Sequence, residues 1–223
     1  MIPDIRIKMN EKLYLRNPED SVLGRKIVCH GIQLINRLGF EDFTFKKLAS
    51  EIDATEATVY RYFENKHRLL VYLIAWYWSF LTYKVMFKLN NINDPEVRLK
   101  TIIRLLVAEP EREQEFGYIR EADAYRLVKN ESSKVYLTRN VTKDNQNRLF
   151  KPYKDLCATI AQIIKQLNPK YKFPNSLAST ILEMSHAQKF FMENLPSLTD
   201  SDSPDEKKLI KFLEELVFKA ISK

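Results

Sequence analysis

The amino-acid sequence predicts an all-α protein, and three observations carry that prediction. Apolar residues recur at a spacing of about 3.6 residues over most of the chain. Glycine is scarce, four in 223 residues, whereas parallel sheets and phosphate-cradling loops both lean on it. The stretch from Thr44 to Lys66, TFKKLASEIDATEATVYRYFENK, reads as two short helices joined by a tight turn, with a third helix starting at its end.

Taken in order, residues 1–20 carry Arg6, Lys8, Lys12 and Arg16 among Ile5, Ile7, Leu13, Tyr14 and Leu15. A basic arm reaching toward a nucleic-acid groove is one reading. An extension that packs on the protein is preferred, because five apolar residues suit packing better than solvation. Asn17-Pro18 marks a turn. The helix that follows places Ile27, Gly31, Leu34, Ile35 and Leu38 on one stripe, and Gly39 ends it as a left-handed cap. Thr44 caps the next helix, on which Phe45, Leu48, Ala49 and Ile52 fall at helical spacing, and Asp53-Ala54 makes the turn. Thr55 caps a very short helix that faces Val59 and Phe63 inward and leaves most of its surface polar. Such a helix is not built mainly to hold a core.

Asn65 caps a long aromatic-rich helix from Lys66 to about Asn90, a rod of roughly 37 Å at about 1.5 Å per residue. Pro95 opens a helix to about Ala108, and another is expected over Glu113 to Lys129. Residues 130–146 are polar and read as helical. Leu149, Tyr153, Leu156, Ile160, Ile163, Ile164 and Leu167 mark a helix from about Arg148 that Asn168-Pro169 stops. Two more helices are expected at 175–195 and from Ser203-Pro204-Asp205-Glu206 to about 221, the last opening on a capping box.

Composition bounds the function. The formal net charge of +7 and the pI near 9.2 suit a polyanionic partner, yet residues 21–70 hold eight Lys/Arg against six Asp/Glu, so the basic excess is spread along the chain. Cys29 and Cys157 form no CxxC pair and read as small apolar residues of a reducing cytoplasm. No signal-peptide pattern or membrane span is expected, since the apolar run near Tyr72 to Leu81 is short of the ~20 residues a span needs. His30, His67 and His186 are scattered and no acid pair or nucleophile stands in a motif, so no enzyme, metal or cofactor is expected. His186 is read as a core or interface histidine before a pocket one. The stripe Trp76, Tyr77, Trp78, Phe80, Tyr83 and Phe87 is open between core and pocket lining.

The grammar of Thr44 to Lys66 is that of a DNA-reading helix-turn-helix. With the leading helix ending in Gly39-Phe40, the pattern Thr44, Leu48-Ala49, Thr55, Thr58-Val59-Tyr60, Tyr62-Phe63 and Lys66 resembles the DNA-binding domain of the tetracycline-repressor (TetR) family across residues 24–72. Two departures stand out: Ala57 and Asp53-Ala54 occupy places where the family commonly has glycine. The resemblance implies phosphate gripping by Thr44, Thr58, Tyr60, Tyr62 and Lys66, for which hydroxyls and an ammonium beside a helix N-terminus are apt. Lys46 and Lys47 are outer phosphate candidates or solvated lysines. Thr55, Glu56, Ala57 and Arg61 are the candidates for base reading. Arg61 can grip guanine O6 and N7, or serve as one more phosphate link. Tyr60 and Tyr62 can also pack in the small core.

The domain plan is an extension (1–20), a three-helix DNA-binding domain (21–65) and a C-terminal helical ligand-binding and dimerisation domain (66–223). The resemblance implies a homodimer on a pseudo-palindromic double-stranded operator, with the last two helices pairing with their copies, and repression relieved by a small-molecule ligand. The ligand and its site are not specified. A regulator controlled by a protein partner, and a helical ligand-binding protein without DNA binding, are the alternatives.

Overall fold

The computed structural model describes residues 7–110, 115–201 and 203–222, so Ile5 and Arg6 of the extension lie outside the described residues. The chain divides into two compact units, one of residues 1–80 and 110–152, the other of residues 81–109 and 153–223.

In the first unit, the extension is two single 3-10 turns, Glu11–Leu13 and Pro18–Asp20, each capped by an asparagine side chain, Asn10 or Asn17. Leu13 and Met9 are buried, whereas Leu15 is 67% exposed. The extension therefore packs through fewer apolar residues than its composition suggests. Helix α1 (Val22–Leu38) starts where the Ser21 hydroxyl accepts from Gly24 N–H, and ends at Gly39, whose φ of 78° only glycine adopts freely. The Gly24 position leaves no room for a side chain: a Cβ would stand 2.3 Å from the Pro18 carbonyl oxygen. Helices α2 (Phe45–Glu51) and α3 (Glu56–Tyr60) follow, then α4 (Lys66–Leu89), capped by Asn65 Oδ1 accepting from Arg68 N–H at 2.8 Å. By length and composition α4 could cross a membrane, but 72% of its most apolar window is buried inside the fold. Trp76, Tyr77, Trp78 and Phe80 are core residues, while Tyr83 and Phe87 are exposed.

Of the helix expected over Glu113 to Lys129, positions 113 and 114 lie outside the described residues, and the rest is helical only in part. After α5 (Pro95–Val107), Glu115–Phe116 (β1) and Ile119–Arg120 (β2) pair as a minimal antiparallel hairpin, and helix α6 (Glu121–Glu131) begins only at Glu121. The reason is Gly117, whose φ of 66° turns the chain back where a helix would continue. Residues 130–146 contain two short helices, α7 (Ser133–Tyr136) and α8 (Val141–Gln146). Arg148 has a φ of 59°, so the next helix, α9 (Lys151–Leu167), starts three residues later than the apolar pattern does. Within this unit α6 packs on α1, where Asn36 donates to the Asp123 carbonyl (2.9 Å) and Phe40 N–H donates to Glu131 Oε1 (3.1 Å).

The second unit is built on α5, most of α9, α10 (Pro174–Asn194) and α11 (Glu206–Ile221), with α5, α10 and α11 packed on one another. Their inward faces, such as Leu99, Ile103 and Leu106 of α5 and Leu209, Leu213 and Val217 of α11, are almost fully buried. The α11 cap is Asp205, which accepts from Lys207 and Lys208 N–H, in place of the expected Ser203. Aspartate two residues further on offers a charged acceptor to the same free N–H groups. Buried Lys189 is matched by Glu206 at 2.7 Å, as a charge taken out of water requires. His186 is buried, its Nδ1 3.0 Å from the Leu182 carbonyl. Cys29 and Cys157 stand outside any disulfide, each half-buried.

Candidate nucleic-acid interface

The site is assembled by two caps and a turn. Thr44 Oγ1 accepts from Lys47 N–H at 3.2 Å and opens α2. Asp53, with a φ of 53°, reverses the chain, and Ala54 N–H donates to the Ala49 carbonyl at 2.9 Å to close the turn. Asp tolerates this left-handed conformation better than most residues, which explains how the turn manages without glycine. Thr55 Oγ1 accepts from Thr58 N–H at 3.3 Å and shares a 2.8 Å hydrogen bond with Thr58 Oγ1. Leu48, Val59 and Phe63 are fully buried and Ile52 nearly so, and they seat α3 against α2.

With those residues turned in, α3 turns Glu56, Ala57, Tyr60 and Arg61 out. Spaced i, i+1, i+4, i+5, they make one face of one short helix. Thr55 and Thr44 at the caps, and Lys46 and Lys47 on α2, are also exposed; Thr58 is half-buried. Tyr60 is 47% exposed, with its ring edge-on to Phe45 at 4.9 Å between centroids, so it both packs and presents its hydroxyl end. The Lys47 ammonium donates to the Asp42 carbonyl at 2.8 Å.

Two of the expected contact residues are placed differently. Tyr62 is 2% exposed. Its hydroxyl shares a 2.8 Å hydrogen bond with Ser21 Oγ, its ring lies beneath the Arg16 guanidinium at 5.3 Å, and its carbonyl accepts from Leu15 N–H at 2.8 Å. Lys66 is half-buried and donates to three carbonyls, those of Phe40 (3.0 Å), Glu41 (2.8 Å) and Phe43 (3.1 Å), while standing over the Phe40 ring at 4.8 Å. An ammonium has three protons to give, and all three are engaged within the fold. Residues 15, 16 and 21 thus support the site without belonging to the motif. Spacing could not reveal them, because their part is to hold Tyr62 from across the chain.

The description "Bacterial regulatory proteins, tetR family" fits the model that matches residues 27–73. The chain carries a tetR-family regulatory domain. The matched tetR-family segment runs from α1 into α4 and contains the whole outward face of α3. Solved structures extend the likeness of fold over most of the chain. AibR in complex with isovaleryl coenzyme A and operator DNA is 14% identical, covers 87% of this chain and 98% of its own, and superposes with a TM-score of 0.61. A Saccharomonospora viridis protein in complex with choline is 17% identical, covering 86% and 94% with a TM-score of 0.63. The fatty acid degradation regulator FadR from Bacillus halodurans is 16% identical, covering 86% and 92% with a TM-score of 0.59. No curated protein matches the chain. The family match over residues 27–73 and the fold of these neighbours agree on an all-helical chain that carries a tetR-family domain near its start.

Proposed function

We propose that this regulator is a cytoplasmic homodimer that represses transcription by occupying a pseudo-palindromic operator and leaves it when a small molecule binds. The observation that carries the reading is the α3 face of Glu56, Ala57, Tyr60 and Arg61, a polar surface held rigidly by the buried Val59 and Phe63. Thr44, Lys46, Lys47, Thr58 and Tyr60 grip phosphate, and Thr55, Glu56, Ala57 and Arg61 meet base edges. Lys66 and Tyr62 act one step back, holding the loop after α1 and the end of α3 in place.

A single α3 offers little surface, so two copies read two half-sites about 34–36 Å apart or a multiple of that. Exposed Phe212 (48%) and Leu216 (38%) on α11, with Leu195 (46%) after α10, supply apolar surface for pairing with a second copy. In this reading residues 21–65 form the DNA-binding domain and residues 66–223 the regulatory one, with α4 as the element that joins them. The effector reading draws on AibR, solved in complex with isovaleryl coenzyme A and operator DNA.

The test is selection of genomic fragments by the full chain at fixed salt, then titration of the enriched fragment in the presence and absence of fractionated metabolites. Enrichment of a two-fold-symmetric sequence that one fraction releases supports the proposal. Retention of DNA without sequence preference, or a monomer by sedimentation, counts against it.

A further inference from the structure

Residues 39–43, the loop that leads from α1 to the Thr44 cap of α2, are gripped from two directions within the first unit. From α4, the Lys66 ammonium takes the Phe40, Glu41 and Phe43 carbonyls. A second grip comes from the junction of α6 and α7. Glu131 Oε1 accepts from Phe40 N–H at 3.1 Å, and the Lys134 ammonium bridges Glu131 Oε2 (2.9 Å) to Glu41 Oε1 (3.2 Å) while standing 5.9 Å from the centre of the Phe40 ring.

A connecting loop does not need that second grip for stability. Glu131 is buried, and a buried ion pair adds little over an apolar pair of the same volume, because desolvation offsets the attraction. What the bridge fixes is a position. One carboxylate oxygen meets the Phe40 backbone, the other meets Lys134, and Lys134 ties down Glu41 beside it. The two halves of the helix-turn-helix are also anchored separately. The end of α3 is held through Tyr62, by Ser21 and Leu15, whereas the start of α2 depends on the loop. Thr44, Lys46 and Lys47 stand within one turn of that loop, and all three are exposed.

We infer, resting on the reading of Thr44, Lys46 and Lys47 as phosphate contacts, that Glu131 and Lys134 are positioning residues for DNA binding. They do not touch DNA; they set where the start of α2 meets the phosphate backbone. Without their grip the start of α2 shifts while α3 keeps its seat, so phosphate contacts weaken and base preference survives. Removing the Glu131 carboxylate makes the chain more basic, which by itself favours DNA. The loss of affinity therefore runs against the change in net charge.

The test is fluorescence anisotropy of the full chain on the duplex that it selects from genomic fragments, at salt from about 50 to 300 mM. Glu131→Leu binds about tenfold more weakly at the low-salt end, and its slope of log affinity against log salt is shallower by about one to two units, the share of Lys46 and Lys47. The ratio of its affinities for the selected duplex and for one with a single altered base pair stays that of the unmodified chain. Lys134→Met changes the slope in the same direction, and Glu131→Gln, whose amide oxygen still accepts from Phe40 N–H, recovers part of the loss. Circular dichroism at the assay temperature establishes that each variant is folded, and a general loss of stability leaves the slope of the folded molecules where it was. Slopes equal to that of the unmodified chain in every folded variant, or base preference lost with the slope kept, overturn the inference. Failure of the unmodified chain to select any duplex would instead remove the operator reading, and with it the contacts positioned here.

Discussion

Replacing Lys66 with methionine separates two roles that the same position can hold. Methionine keeps the unbranched apolar stem and removes only the ammonium. Three carbonyls then lose their donor, those of Phe40, Glu41 and Phe43. Phe40 and Phe43 are themselves buried, so two of the three acceptors cannot simply be handed to water, while the Glu41 bond is exposed and is replaced easily. A hydrogen bond from a charged donor contributes about 1.5–3 kcal/mol net, less where solvent competes. The loss expected for Lys66→Met is therefore about 3 kcal/mol, with a small share from the cation over the Phe40 ring. Urea unfolding of the full chain without DNA measures it, as a fall in midpoint at unchanged slope. Lys66→Arg does not restore stability, because a planar guanidinium cannot direct its protons to three carbonyls around one point. A Lys66→Met protein with stability within about 0.5 kcal/mol of the original, but with a salt dependence of operator binding reduced by about one phosphate contact, would refute the structural role and return Lys66 to the DNA.

Three further outcomes follow from the same geometry. Arg61→Ala lowers affinity for the selected operator by about 1–3 kcal/mol and relaxes preference at one base pair; in a competition assay against a scrambled duplex, an equal loss for both sequences would mark Arg61 as a phosphate contact. Gly24→Ala destabilises the fold by about 2 kcal/mol or more despite the higher helix propensity of alanine, since its Cβ meets the Pro18 backbone; thermal unfolding reads this out. Burial holds the Tyr72, Tyr77 and Tyr118 hydroxyls well above the usual tyrosine range, with Glu19 beside the first and third adding to it. Above pH 10 the unfolded chain gives up these protons while the folded one keeps them, so stability is full below that pH and falls as pH rises, by up to about 1.4 kcal/mol per unit for each tyrosine. Tyrosinate absorbance that grows in step with loss of helical circular dichroism supports this, whereas ionisation of all tyrosines in the folded protein contradicts it.

The helix-turn-helix was legible because its constraints are local. Thr44 and Thr55 cap the helices that immediately follow them, and Leu48, Ile52, Val59 and Phe63 fall at spacings that only one local packing satisfies. The α5, α10 and α11 helices were legible for the same reason, each having a periodic inward face and a proline or aspartate near its start. The hairpin at 115–120 was not, because a helical pattern resumes at Glu121 and masks the single Gly117 that turns the chain. Tyr62 and Lys66 show the other limit. A hydroxyl or an ammonium in a motif names a capacity to donate, and only the surrounding backbone decides the acceptor. For Lys66 the acceptors are carbonyls more than twenty residues back, and for Tyr62 the partner is Ser21, forty-one positions away.

The bond from Phe40 N–H to Glu131 Oε1 joins positions 91 residues apart, and it bears on the order in which the molecule can be made. A ribosome delivers about 5–20 residues per second, so the loop after α1 waits several seconds for its carboxylate to be synthesised. Until then the Lys66 ammonium is the group that can hold that loop, through contacts available as soon as α4 has emerged. The nascent domain is thus first fastened from within and only later from α6, and a fragment cut at the end of the family match would stay permanently at the earlier stage.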